Sequence, residues 1–126
     1  MQTSGLNHVI LTVSDLKRAR DFYGDLLGFE TAVFAKEGDF YFTAGGVMFF
    51  FQTARQPIPA DRFNEFRIGL DHLSFAAPSK AALEELAEKL QAAGVPTQGV
   101  ETFAPTGNLY VAFRDPDNIQ LEYWLP

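Results

Sequence analysis

Apolar and polar positions along the chain form short strand-like runs interrupted twice by helical spacing. The run 7–13, Asn-His-Val-Ile-Leu-Thr-Val, is rich in β-branched and aliphatic residues and predicts a strand; it ends at Ser14 and Asp15, both good helix N-cap types. Leu16, Ala19, Phe22, Tyr23, Leu26 and Leu27 then recur at helical spacing, with Lys17, Arg18, Arg20, Asp21 and Asp25 between them. That pattern predicts an amphipathic helix closed by Gly28. Strands are expected next over 29–35, 40–44 and 47–53, separated by Lys36-Glu37-Gly38-Asp39 and by Gly45-Gly46. Residues 54–68, with Pro57 and Pro59, break the pattern and read as a connection with room for a short helical turn. The order then repeats. A strand over 70–77 precedes a helix capped by Ser79, with Leu83, Leu86, Leu90 and Ala93 as its apolar positions and Gly94 at its end. Strands over 97–103, 109–114 and 119–125 follow, the last two joined by the turn Asp115-Pro116-Asp117-Asn118.

The doubled order, β-α-β-β-β, is echoed in the residues themselves. Gly5-Leu6-Asn7-His8 and Gly69-Leu70-Asp71-His72 open equivalent strands and carry both of the chain's histidines. Leu27-Gly28-Phe29 aligns with Ala93-Gly94-Val95, and Gly45-Gly46-Val47-Met48-Phe49-Phe50 with Asp117-Asn118-Ile119-Gln120-Leu121-Glu122. The counterpart of Glu122 is therefore Phe50. At 126 residues the chain suits one domain built from two modules, 5–53 and 69–126, joined by 54–68. The expected class is α+β: two tandem βαβββ modules whose curved mixed sheets enclose a cleft.

Charge and composition narrow the partners. A net charge of −6 and a pI near 4.7 argue against nucleic acid, which calls for a basic face. The absence of cysteine removes disulfides and thiolate ligands. No basic segment followed by an apolar stretch opens the chain, and no apolar run approaches bilayer length, so a cytoplasmic protein with no membrane partner is expected. Most of the 13 phenylalanines should fill the core, with Phe40, Phe42 and Phe50 as candidates to face the cleft. Arg55, Arg62 and Arg67 in the connection read more simply as solvated charge than as an anion-binding group.

Strand parity turns these elements into a candidate site. His8 shares a face with Leu6, Ile10 and Thr12, whereas Val9, Leu11 and Val13 point the other way, the natural side for the helix. His72 and Glu122 likewise oppose the apolar positions of their strands, and Met48, Phe50, Gln52, Gln120 and Trp124 fall on the same faces as the candidate ligands. An unpartnered carboxylate at Glu122, within Ile119-Gln120-Leu121-Glu122-Tyr123-Trp124, would be costly to bury. Two histidines and one glutamate are a donor set for a divalent metal ion, with coordination positions left open. His8, His72 and Glu122 are the candidate metal ligands, and Met48, Phe50, Gln52 and Trp124 the candidate pocket.

The paired Gly-Leu-(Asn/Asp)-His strand openings, the β-α-β-β-β duplication and the closing Phe113-Arg114-Asp115-Pro116-Asp117-Asn118-Ile119-Gln120-Leu121-Glu122 resemble the vicinal oxygen chelate superfamily. This family includes glyoxalase I, fosfomycin-resistance enzymes, extradiol dioxygenases and bleomycin-resistance proteins. The resemblance implies a divalent ion (Fe, Mn, Ni, Co or Zn) held by His8, His72 and Glu122. It also implies a small metal-dependent lyase, isomerase or ring-cleaving dioxygenase acting on vicinal oxygens of a small, apolar or aromatic substrate, and pairing into a homodimer. The alternative within the family is a non-catalytic small-molecule or antibiotic-binding protein of the bleomycin-resistance type. Where glyoxalase I has a further carboxylate this chain has Phe50, or Gln52 two residues on. The family's penultimate-strand tyrosine falls near Ala112, with Tyr110 as the available substitute; with Glu122 it is the candidate catalytic pair. Arg114 is the basic residue on that strand and joins the candidate pocket.

Overall fold

The computed structural model describes residues 1–126 and divides into two compact units, Met1–Asp61 and Arg62–Pro126. The chain is α+β, with two tandem βαβββ modules, each built on a four-stranded mixed sheet.

In the first unit, β1 (His8–Val13) leads into α1 (Leu16–Arg20), which continues as a π-helical segment, Asp21–Leu26. Strands β2 (Ala32–Val33), β3 (Phe40–Ala44) and β4 (Val47–Thr53) complete a sheet ordered β1-β4-β3-β2, with β1 parallel to β4 and the other pairs antiparallel. The Asp15 side chain accepts the Arg18 N–H at 2.8 Å and so starts the helix as its sequence predicts. Leu27 N–H bonds to Phe22 O at 3.0 Å, the wider π spacing that an apolar periodicity does not distinguish. Ala44 pairs with Val47 around Gly45 and Gly46, whose φ of 57° and 80° suit the two-residue hairpin turn that needs two left-handed residues.

The first core lies under one sheet face. Leu11, Val13, Phe49 and Phe51 are buried from β1 and β4, and Tyr23 packs on Phe51 with ring centroids 4.5 Å apart. Phe40 and Phe42 belong to this core and not to the opposite, open face. In the antiparallel register Phe40 opposes Phe51 and Phe42 opposes Phe49, so all four side chains share one face. Phe40 stacks on Phe51 at 4.4 Å, and Phe42 lies between Phe29 at 4.0 Å and Phe49 at 5.0 Å. Phe50, one residue from each buried neighbour in β4, is half-buried on the open face.

The second unit repeats the plan: β5 (Leu73–Ala76), α2 (Lys80–Ala92), β6 (Glu101–Thr102), β7 (Leu109–Arg114) and β8 (Gln120–Trp124), with sheet order β5-β8-β7-β6. Ser79 caps α2 by accepting Ala82 N–H at 3.1 Å, and Leu83, Leu86, Ala87 and Leu90 face Phe75, Val111, Phe113 and Leu121 in the core. The turn after β7 is held by buried Asp115, whose Oδ1 accepts the N–H groups of Asp117 and Ile119, both at 2.8 Å. Residues 62–67 pack on this turn: Phe63 N–H donates to Asp117 O at 3.1 Å, and Asn118 Nδ2 donates to Phe63 O at 2.9 Å.

Three strands are shorter than their apolar runs suggest. Of 29–35 only Ala32–Val33 is ladder-paired, because Phe29 turns into the core against Phe42. Of 97–103 only Glu101–Thr102 pairs. Thr97 Oγ1 instead donates to Ala112 O and accepts Gly99 N–H, a local side-chain arrangement that displaces the ladder. β5 starts at Leu73, so His72 stands immediately before the strand. The connection contains turns and bends but no helix.

Candidate functional site

On the open face of the first sheet, His8, Ile10 and Thr12 of β1 stand beside Met48, Phe50 and Gln52 of β4, each opposite its register partner. His8 is exposed, and its Nδ1 bonds Asn7 Oδ1 at 2.7 Å. The amide oxygen accepts, so Nδ1 carries the proton and Nε2 is left with its lone pair. The His8 ring meets Phe50 edge-on at 5.9 Å; Phe50 also lies 5.6 Å from Tyr41 and 5.7 Å from Phe34, which is 56% exposed. An aromatic surface therefore adjoins the histidine.

The open face of the second sheet carries the other candidates. Glu122 sits opposite Ser74 on one side and Ala112 on the other. Ser74 Oγ donates to Glu122 Oε1 at 2.7 Å and fixes the carboxylate against the sheet. His72 Nδ1 donates to Asp71 Oδ1 at 2.5 Å, and His72 Nε2 lies 3.9 Å from Glu122 Oε1. A carboxylate can only accept, so the Asp71 contact puts a proton on Nδ1 and turns Nε2 toward a carboxylate oxygen. Two bonds of about 2.1 Å at a tetrahedral ion set their ligand atoms about 3.4 Å apart, so this pair, 3.9 Å apart, would have to close by about half an ångström to share one.

Tyr110 stacks on Trp124 at 5.9 Å, and Phe103 meets Trp124 edge-on at 5.4 Å, giving this face its own aromatic group near Glu122. Burial, followed by the negative charges of Glu101 and Glu122, holds the Tyr110 phenol above its ordinary value of 10.0, so it remains a hydrogen-bond donor at neutral pH. Arg114 is engaged rather than free. Its guanidinium grips both carboxylate oxygens of Glu65, with Nη1 3.1 Å from Oε2 and Nη2 on Oε1, and also reaches Asn118 O and Gln120 Oε1, each at 3.2 Å. Glu65 raises the Arg114 pKa, and Arg114 lowers that of Glu65.

No three His, Asp or Glu side chains of the chain gather into a group able to hold a metal ion. The expected triad is represented by the His72–Glu122 pair in the second unit and by His8 in the first. Residues 5–123 match the family model described as the Glyoxalase/Bleomycin resistance protein/Dioxygenase superfamily.

The chain belongs to that superfamily.

The Bacillus subtilis (strain 168) protein YqjT is 31% identical to it, over 96% of this chain and 98% of the relative. The crystal structure of a glyoxylase/bleomycin resistance protein/dioxygenase domain from Frankia sp. EAN1pec is 32% identical, with a TM-score of 0.81 and 98% of each chain covered. A lactoylglutathione lyase structure from Agrobacterium tumefaciens, 24% identical, aligns over 99% of this chain and 96% of its own with a TM-score of 0.74, a likeness of fold. The superfamily expected from the paired histidine openings is thus the one to which the chain belongs. Its description spans enzymes and binding proteins, so membership does not choose between them.

Sequence reasoning overlooked four polar residues. Asn7 and Asp71 lie within the echoed Gly-Leu-(Asn/Asp)-His openings, so their position immediately before each histidine was a readable signal. Ser74 shares a face with His72 by strand parity. Glu65, distant in sequence from Arg114, left no local signal.

Proposed function

We propose that the protein is a divalent-metal-dependent enzyme of the glyoxalase or dioxygenase type. His8, His72 and Glu122 are its ligands, and vicinal oxygens of a small, neutral, apolar or aromatic substrate complete the coordination. The observation that carries this reading is the second-unit pair: His72 Nε2 lies 3.9 Å from Glu122 Oε1, with Asp71 engaging Nδ1 and orienting the ring. His8, exposed and engaged at Nδ1 by Asn7 in the same way, supplies the third donor from this chain or from a second copy in a homodimer. When bound, the ion supplies Lewis-acid stabilisation of a developing oxyanion or enolate.

The chain's own side chains do the rest. Tyr110, kept protonated, donates from its phenolic oxygen to a substrate oxygen, and Trp124 beside it offers a stacking surface. Phe50, flanked by Met48 and Gln52, walls the substrate on the His8 side. A neutral substrate fits because Arg114, the cation of this face, already carries Glu65 as its counter-ion. The aromatic surface of exposed Phe34 and half-buried Tyr41 and Phe50 favours one second reading, a non-catalytic binder of aromatic molecules.

Metal content after purification without chelators, followed by titration of the stripped protein with Mn, Co, Ni and Zn, tests the proposal. About one ion per site is expected for the wild type and a loss of binding for His72→Ala and Glu122→Ala. Unchanged metal binding in both variants refutes it. Tight binding of aromatic ligands by metal-free protein, with no turnover in the presence of metal, would establish the second reading instead.

A further inference from the structure

Arg62 reads in sequence as solvated charge, and the structure gives it a place. Residues 62–66 pack on the β7–β8 turn and leave a pocket of about 380 Å³ between themselves and the side chains of Arg114 and Asn118, all within the second unit. Arg114 is fixed there independently of Glu65. Its Nη1 donates to Asn118 O and its Nη2 to Gln120 Oε1, each at 3.2 Å, so the guanidinium keeps its direction if the carboxylate leaves. Toward Glu65 it presents both terminal nitrogens, the fork that matches a planar carboxylate. Arg62 brings a second guanidinium and rests on a neutral group: Nη2 donates to Asn118 Oδ1 at 2.9 Å. Asn118 is locked in turn, because its Nδ2 donates to Phe63 O at 2.9 Å. Two guanidiniums therefore face one carboxylate, and the pocket keeps a positive charge in excess although the chain carries −6. Phe66 is 91% exposed beside Glu65 and offers an apolar wall with its ring in solvent.

We propose that this pocket binds a small carboxylate with an aromatic or apolar body, and that Glu65 is the internal occupant which the ligand displaces. The ligand carboxylate takes the Arg114 fork, Arg62 adds a second charged contact, and the body lies against Phe63 and Phe66. The volume is within the range of small-molecule sites, about 300 to 1,000 Å³. Exchange swaps one forked carboxylate for another, so Arg114 stays neutralised whichever is bound. The segment does not need Glu65 to hold its place: Phe63 N–H donates to Asp117 O at 3.1 Å, and Asn64 Oδ1 accepts Phe66 N–H at 2.9 Å to close the turn. Glu65 thus sets a threshold, because the ligand must outcompete a carboxylate tethered beside the fork. The site uses none of His8, His72, Glu122, Tyr110 or Trp124 and is independent of the metal reading.

Calorimetric titration with benzoate, and separately with inorganic phosphate, tests the proposal, with urea unfolding of each variant as the folding control. Benzoate should bind the wild type weakly and Glu65→Gln about 10-fold more tightly, since the tethered competitor is gone. Glu65→Asp, whose shorter side chain reaches the fork less well, should show a smaller gain in the same direction. Adding Arg114→Lys to Glu65→Gln keeps the charge but removes the fork, and should abolish the gain. Adding Arg62→Gln instead should weaken benzoate binding several-fold, and phosphate should bind Glu65→Gln less tightly than benzoate. A purely structural ion pair predicts no gain in ligand affinity from either Glu65 variant, and that result would overturn the inference. So would a gain that survives Arg114→Lys, or phosphate binding as tightly as benzoate, which would reduce the pocket to a patch of positive charge.

Discussion

Replacing Phe51 and Phe50 separately by alanine tests the face assignment on which the site depends. The two residues are neighbours in one strand and differ in which side of the sheet they occupy. Phe51 is fully buried and packs on Phe40 at 4.4 Å, Tyr23 at 4.5 Å and Phe42 at 5.7 Å. Deleting its ring removes the transfer free energy of a whole aromatic side chain and leaves a void ringed by stiff aromatics that collapse poorly, so a loss of about 4 kcal/mol is expected. Phe50 is half-buried and meets Tyr41, Phe34 and His8 only at 5.6 to 5.9 Å. Water can take the place of its ring, and the loss should be about 1 kcal/mol. With a urea dependence of about 2 kcal/mol per molar, Phe51→Ala should lower the unfolding midpoint by about 2 M and Phe50→Ala by about 0.5 M. For a domain whose total stability is on the order of 5–15 kcal/mol, Phe51→Ala stands near the limit of folding. Equal midpoints for the two variants would refute the face assignment. A larger loss for Phe50→Ala would place the aromatic core on the other side of the sheet.

The remaining predictions concern titration. Arg114 lowers the Glu65 pKa below its ordinary 4.5, so their pairing stabilises the fold above that value and the benefit is lost as pH falls through the depressed folded value. The gap between wild type and Glu65→Gln in urea midpoint should therefore be present near neutral pH and close in acid; a gap that persists unchanged in acid would contradict the ion pair. Burial pushes Tyr123 up to about 12, and burial with nearby carboxylates raises Tyr110 by a smaller amount. Ultraviolet titration should show Tyr123→Phe deleting a tyrosine that ionises near pH 12, and Glu122→Gln lowering the Tyr110 midpoint. A Tyr123 that ionises at the ordinary tyrosine value of 10.0 would contradict its packing against Phe75 and Phe113.

The duplicated β-α-β-β-β order was legible because its signals are local. Asp15 and Ser79 cap helices through the next turn, Gly45-Gly46 closes a hairpin between adjacent strands, and apolar spacing follows the period of each element. The ends of the edge strands were less legible. Whether residues 29–35 or 97–103 pair along their length depends on competing partners, Phe42 for Phe29 and Ala112 O for Thr97, which lie on other strands. The misreading of Phe40 and Phe42 has the same origin, since parity within β3 separates two faces but only the register with β4 says which face is the core.

The sequence by itself determined which residues carry the candidate chemistry: two histidines at equivalent strand openings, a lone glutamate on the last strand, and Phe50 where the first module has no acid. These follow from repetition and from the alternation of side chains, both one-dimensional properties of the chain. Only the tertiary structure decided how those groups are held. It put Ser74 on Glu122, closed Glu65 over Arg114, and set Asp71 and Asn7 on the two imidazoles with different charge. The physical reason is that hydrogen-bond strength and tautomer depend on distances of a few tenths of an ångström between side chains, and strand pairing and loop packing set those distances.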